Sequence, residues 1–191
     1  GFSQGTVHQP FNTHFFLTDQ YDGATADLWA WPDALGTGNP SIVQTYSVWP
    51  SGFPVDVPQF GGSEITANDY RWRGFEYRNG YGWSADTVSY DFGYGTVNIL
   101  RYLRVDLQTA GYPKDTVSSF GYTQAHMIFP DLAVDHCGNM MIGYETSSVL
   151  THPSVEVTYV LNGQGWSYDI RSVKSGETSY SSFDPAPYRW G

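Results

Sequence analysis

The sequence predicts an all-β chain, on three observations. Residues suited to a pleated, half-buried surface are abundant: 15 Tyr, 11 Phe and 7 Trp among 191 residues, together with many Val and Thr. The 21 Gly and 11 Pro interrupt the chain so often that no helix longer than about three turns is secure. Short apolar runs alternate with polar residues at a period of two and are joined by turn residues.

The strands follow in order. "HFFLTDQYDGATADLWAW", from His14 to Trp31, reads as a hairpin with Asp22-Gly23 in its turn. "WPSGFPVDVPQFGG", from Trp49 to Gly62, has the Pro and Gly content of a crossing between units. "WRGFEYRNGYGWSADTVSY", from Trp72 to Tyr90, is a second hairpin around Arg78-Asn79-Gly80, followed by strand-like runs at Val97 to Leu107 and Asp115 to Thr123. "FPDLAVDHCGNMMIGYETSS", from Phe129 to Ser148, is a third hairpin. Leu132 and Val134 alternate with Asp131 and Ala133, and Gly138-Asn139 supplies the turn. His136 and Cys137 then fall at a hairpin tip, which argues against a catalytic dyad. Runs at Ser154 to Asn162 and Trp166 to Gly176 complete the third group.

Phe15, Trp72 and Phe129 open the three hairpins at equal steps of 57 residues (72 − 15 and 129 − 72). Four antiparallel strands per unit at such a period point to a β-propeller of about three four-stranded blades plus the start of another. The expected units are 1–56, 57–124 and 125–182, with 183–191 as the opening strand of a further blade. Three units cannot close a larger ring. A second polypeptide or a symmetry mate is therefore expected to complete the propeller, because open blade faces and strand edges recruit other chains.

Charge narrows the partners. Nineteen acidic and nine basic residues give a net charge of −10, and Lys114 and Lys174 are the only lysines. Nucleic acid and anionic membranes are poor partners for such a surface. No apolar run approaches the ~20 residues of a membrane span. One cysteine, Cys137, forms no intrachain disulfide and no thiolate zinc cluster. The start "GFSQGTVHQP" has neither a basic nor an apolar stretch. Together with the low lysine content, it suggests a secreted chain that is mature or trimmed.

The third unit resembles the strand-turn-strand "yPsiavDxxGNxxigfsaSS" of secreted bacterial β-propellers in the sialidase-like, BNR-repeat-related group. The resemblance continues through a "yPS" element at His152-Pro153-Ser154 and a "kaGeg.Y" element at Lys174 to Glu177 with Tyr180. Upstream, "RWRGFEYRNGYGWSADTV" is similar to the group's "cRlqnavyrnGslwathtv". The closing "YRWG" resembles the start of its "RWGDYSG" element. The likeness covers roughly Val57 to Gly191. Cys137 departs from the usual small polar residue, and the Asp-box pattern SxDxGxTW is missing. The resemblance implies the propeller fold and an extracellular setting.

Candidate sites come from the loop-rich face. A ring face stacks on the apolar face of a sugar while Arg and Asp bond its hydroxyls. Trp72, Arg73, Tyr90, Asp91, Tyr94, His152, Arg189 and Trp190 are the ligand-binding candidates. Arg71, Arg73 and Arg189 suit a carboxylate clamp or, equally, pins between blades. Trp72 and Trp190 suit ligand stacking or burial between blades. His14, His126 and His152 are too scattered for a metal site, and Asp19, Asp22 and Asp27 read as a solvated turn. No metal or cofactor is expected. The leading expectation is a non-catalytic binding or structural module with a glycan ligand. The alternative is a sialidase-like glycoside hydrolase, for which Tyr144, Glu145 and Asp91 supply the phenol and carboxylates.

Overall fold

A computed structural model describes residues 13–32, 38–68, 70–167, 169–182 and 185–189 of the chain. The described residues contain strands and no helix. Sheet one holds β1 (Thr13–Asp19), β2 (Thr25–Pro32) and β3 (Ser41–Ser47), in the order β1-β2-β3. A two-residue strand, β4 (Ile65–Thr66), comes next. Sheet two is the antiparallel meander β5 (Arg73–Arg78), β6 (Tyr81–Asp91), β7 (Thr96–Asp106) and β8 (Lys114–Phe120). Sheet three repeats it with β9 (His126–Val134), β10 (Met140–Ser148), β11 (Thr151–Val160) and β12 (Arg171–Lys174). The last strand, β13 (Tyr188–Arg189), was expected to open a further unit. It pairs in parallel with β4.

Turn chemistry explains the hairpins. Asn79 and Gly80 both adopt positive φ, the primed geometry that matches strand twist. At the β9–β10 turn the Asp135 carboxylate accepts from the Cys137 and Asn139 amides at 2.8 and 2.9 Å, and Gly138 takes the left-handed position. These bonds hold Asp135 below the usual carboxylate range, led by the Asn139 side chain.

The three sheets stack face to face. One face of β7 sends Leu103 and Val105 into a core with Phe15, Leu17 and Leu28 of sheet one. Its other face sends Leu100 and Tyr102 into a core with Met127, Met140, Ile142 and Tyr144 of sheet three. Alternation along a single strand thus fills two apolar layers, each buried aliphatic side chain contributing about 1.5–3 kcal/mol.

Strand direction corrects the expected repeat. β5 and β9 run the same way, since Arg78 and Asn79 bond the Val134 and His136 carbonyls. β1 runs opposite to β5. Its first residues pack on Tyr112 of the β7–β8 connection, which lies beside the β5–β6 turn through Leu107 N–H to Gly80 O. The β1–β2 turn meets Tyr70, just ahead of β5. The first hairpin therefore matches β6–β7 and β10–β11 in direction, and the step of 57 from Phe15 to Trp72 joins strands that are not equivalent. A truer repeat lies in two bulges, between Arg73 and Glu76 on β5 and opposite Gly143/Glu145 on β9. Each contains a left-handed residue, Gly74 (φ 58°) or Phe129 (φ 52°).

Candidate functional site

The segment from Val48 to Glu64 is a strap across one end of all three sheets. Pro50, Pro54 and Pro58 deny it a regular strand ladder, and it turns back after Phe60 so that Val57 pairs with Ile65. Val48 N–H bonds Ala24 O at 2.8 Å, and Gly52 bridges Ser89 of β6. A Cβ on Gly52 would sit 2.3 Å from Ser89 Oγ, so only glycine permits the approach. Asn98 of β7 bonds both the N–H and the C=O of Val55, at 2.9 and 2.7 Å. Ser147 of β10 donates to Pro58 O at 2.9 Å. Gln59 accepts from Tyr180 N–H at 2.6 Å and donates to Tyr180 O at 2.8 Å.

One residue organises this end from below. Arg101, buried in β7, makes a two-pronged ion pair with Asp86 on β6, Nε to Oδ1 at 3.0 Å and Nη2 to Oδ2 at 2.5 Å. Its Nη1 donates to Gly23 O at 2.8 Å and to Pro50 O. The guanidinium also lies 4.9 Å from the Trp72 ring centroid. Burial pushes Asp86 up to about 6 against the pull of Arg101.

The strap and the turns beneath it carry exposed rings. Trp49 meets Tyr90 edge-on at 5.4 Å, and Tyr90 meets Phe92 at 4.9 Å. With Phe120 and Ile99 they line a groove of about 340 Å³. Trp49 is 63% exposed, and Tyr94, at the tip of the β6–β7 turn, is 81% exposed. Phe53 packs edge-on to Tyr70 at 4.9 Å, and Phe60 to His152 at 5.2 Å.

A second, polar cleft of about 560 Å³ opens where β5 and β9 begin, between Asn68, Arg71, Arg73, Phe129 and Asp131. Arg73 lies 4.9 Å from the Phe129 ring centroid. Asn68, Gly74 and Phe129 all hold positive φ, so three left-handed residues border one cavity. Glu145 lies in reach of the Arg73 charge. Burial nevertheless pushes its carboxyl up to about 8, and its Oε2 is buried without a hydrogen-bond partner.

The expected site residues divide accordingly. Tyr90, Asp91 and Tyr94 come together at the aromatic end, although Asp91 Oδ1 is engaged by the Gly93 and Gly95 amides at 2.6 and 3.2 Å. Arg73 lines the polar cleft. Trp72 borders it too, but its side chain is buried between sheets one and two under Arg101, the burial that was expected as the alternative to ligand stacking. His152 packs against Phe60, with Nδ1 buried and unpartnered. Trp190 and the Arg189 side chain lie outside the described residues. Asp27, expected on a solvated turn, is buried and accepts from Gln20 and Thr45.

The hydrolase trio does not converge. Tyr144 is buried against sheet two, its hydroxyl 3.1 Å from Glu156, and burial raises its phenol well above the ordinary value. Glu145 faces the other side of the same strand, and Asp91 lies at the β6–β7 turn. Sequence reading missed Trp49, Phe53 and Phe60, taking their segment only as a crossing. It also missed the Asp86–Arg101 pair, although these two lie opposite each other in the β6–β7 register. No protein-family model, curated protein or solved structure matches the chain.

Proposed function

We propose that the chain is a secreted, non-catalytic binding module of β-propeller type that holds a glycan in the groove beside Trp49, Tyr90 and Phe92. The single observation behind the glycan reading is the set of exposed rings around a preformed groove. A soluble surface leaves such rings bare where a ligand covers them, and ring faces suit the C–H faces of sugars. The blade reading is supported by face-to-face stacking of antiparallel meanders whose first strands, β5 and β9, run in parallel. In that reading the far side of sheet three, where Met141 and Val173 are exposed, packs against a further sheet from a second polypeptide or a symmetry mate.

Glycan-array screening followed by calorimetry tests the groove. Trp49→Ala should weaken the best ligand about tenfold or more, the equivalent of ~1.4 kcal/mol, while circular dichroism stays unchanged. Binding indifferent to Trp49→Ala, or no glycan bound at all, would overturn the assignment.

A further inference from the structure

The exposed large apolar side chains of the described residues are unevenly placed. Met141, Leu161 and Val173 lie on or next to sheet three, in the stacking direction. Tyr21, Trp49, Phe53, Phe60, Phe92 and Tyr94 instead lie on the strap and the turns at its end of the molecule, joined by Val149 and Leu150 of the β10–β11 turn, while Ile42 on β3 stands apart. A further sheet in the stack would cover the first group and leave the second bare.

The strap's rings are spread out rather than gathered. Trp49 packs on Tyr90 of sheet two, Phe53 on Tyr70 ahead of it, and Phe60 on His152 of sheet three. Facing sheets stack roughly 10 Å apart, more than the width of one sugar ring. Charge defines the occupant further. "WPSGFPVDVPQFGGSE", from Trp49 to Glu64, contains no Lys or Arg, and Asp56 and Glu64 are exposed on it. A polyanion would meet like charge there, whereas carboxylates accept bonds from neutral hydroxyls. The exposed Asp56 carboxylate between Phe53 and Phe60 also opposes insertion into lipid.

Resting on the groove reading, we propose that the strap is a row of subsites for an uncharged polysaccharide several sugars long. The chain runs from the Trp49 groove across Phe53 to Phe60. The groove holds one end, and the outlying rings add contacts that only a longer chain reaches.

The test titrates the protein with neutral oligosaccharides of increasing length. Insoluble cellulose and chitin, a sulfated polysaccharide and phosphatidylcholine vesicles serve as comparison surfaces. Affinity should rise at least tenfold with length. Phe60→Ala should abolish the gain for long chains and leave the shortest ligand unchanged, and Phe53→Ala should act in between. Length-independent binding, or long-chain affinity untouched by Phe60→Ala, sinks the row of subsites. If Trp49→Ala still weakens the short ligands, the groove survives that result. Preference for the sulfated chain or for vesicles overturns the uncharged-polysaccharide assignment, and failure to bind any sugar removes both proposals together.

Discussion

Arg101→Met is the most informative stability perturbation. It removes every hydrogen bond and the positive charge around fully buried Asp86 while keeping an unbranched apolar stem. Stranded in the core, the carboxylate must take a proton. Holding one at pH 7 costs about 4 kcal/mol, at 1.36 kcal/mol for each unit above an ordinary value near 3.8. The native pair already bears roughly 3 of this, because burial pushes Asp86 up to about 6. About 1 kcal/mol is therefore new. The Gly23 and Pro50 carbonyls lose their buried donor, at about 1–3 kcal/mol each. The sum, about 3–7 kcal/mol, overlaps the roughly 3–5 kcal/mol typical of breaking a buried ion pair. Urea unfolding followed by tryptophan fluorescence should show the midpoint falling with the slope unchanged. The deficit should shrink between pH 7 and pH 5, as Asp86 protonates in both proteins. Adding Asp86→Asn to Arg101→Met should recover part of the loss. A deficit below ~1 kcal/mol at pH 7, or one that does not change with pH, would refute the reasoning.

Other perturbations follow the same logic. His126 Nδ1 accepts the Asn98 N–H at 3.3 Å, and burial lowers its pKa to about 4. The folded state thus prefers the neutral ring. This contribution is complete above an unfolded value near 6.5 and is lost as pH falls through 4, so His126→Asn should flatten the acid limb of a stability profile. Glu145 has the opposite sign, since the fold holds its proton up to about 8. Stability is lost as pH rises toward that value, and thermal melts at pH 8.5 should favour Glu145→Gln over the parent. Gly74→Ala must place a side chain at φ 58° with its Cβ 3.3 Å from Asp131 Oδ1. A loss of about 1–2 kcal/mol in urea is expected, and no loss would show that the bulge relaxes freely. Asn98→Ala removes both bonds to Val55, and hydrogen exchange should then speed at strap amides while β7 stays protected.

The hairpins were legible in the sequence because their turns require particular residues. Asn79-Gly80 and Asp135 with Gly138 mark chain reversals whatever surrounds them. Alternating apolar residues likewise revealed β-structure and identified strands such as β9. The phase of the repeat was not legible, because alternation has no polarity. A strand reads the same in either direction, so Phe15 could be matched to Trp72 although β1 and β5 run oppositely. Exposure of aromatics was hidden for a related reason. Trp72 and Trp49 are the same residue type, each in a loop beside Pro or Arg, and only stacking decides that one is buried and the other bare. The Asp86–Arg101 pair left a usable signal. Around the Phe92 to Gly95 turn, the two positions fall opposite each other once the register is counted outward from Asp91 and Thr96.

The strap's attachment to Tyr180 has a consequence in time. Gln59 must meet a backbone 121 positions further along the chain, so its clasp closes one of the longest loops in the molecule, the kind of contact that slows folding. On a ribosome elongating at about 5–20 residues per second, Tyr180 emerges roughly 6–24 s after Gln59. During that interval Trp49, Phe53 and Phe60 are bare on a tether anchored only to whatever has already formed behind it. The surface proposed to hold a polysaccharide stays exposed after folding, but in those seconds it also hangs on a strap not yet clasped to Tyr180, where chaperones can act and nascent chains can stick to one another.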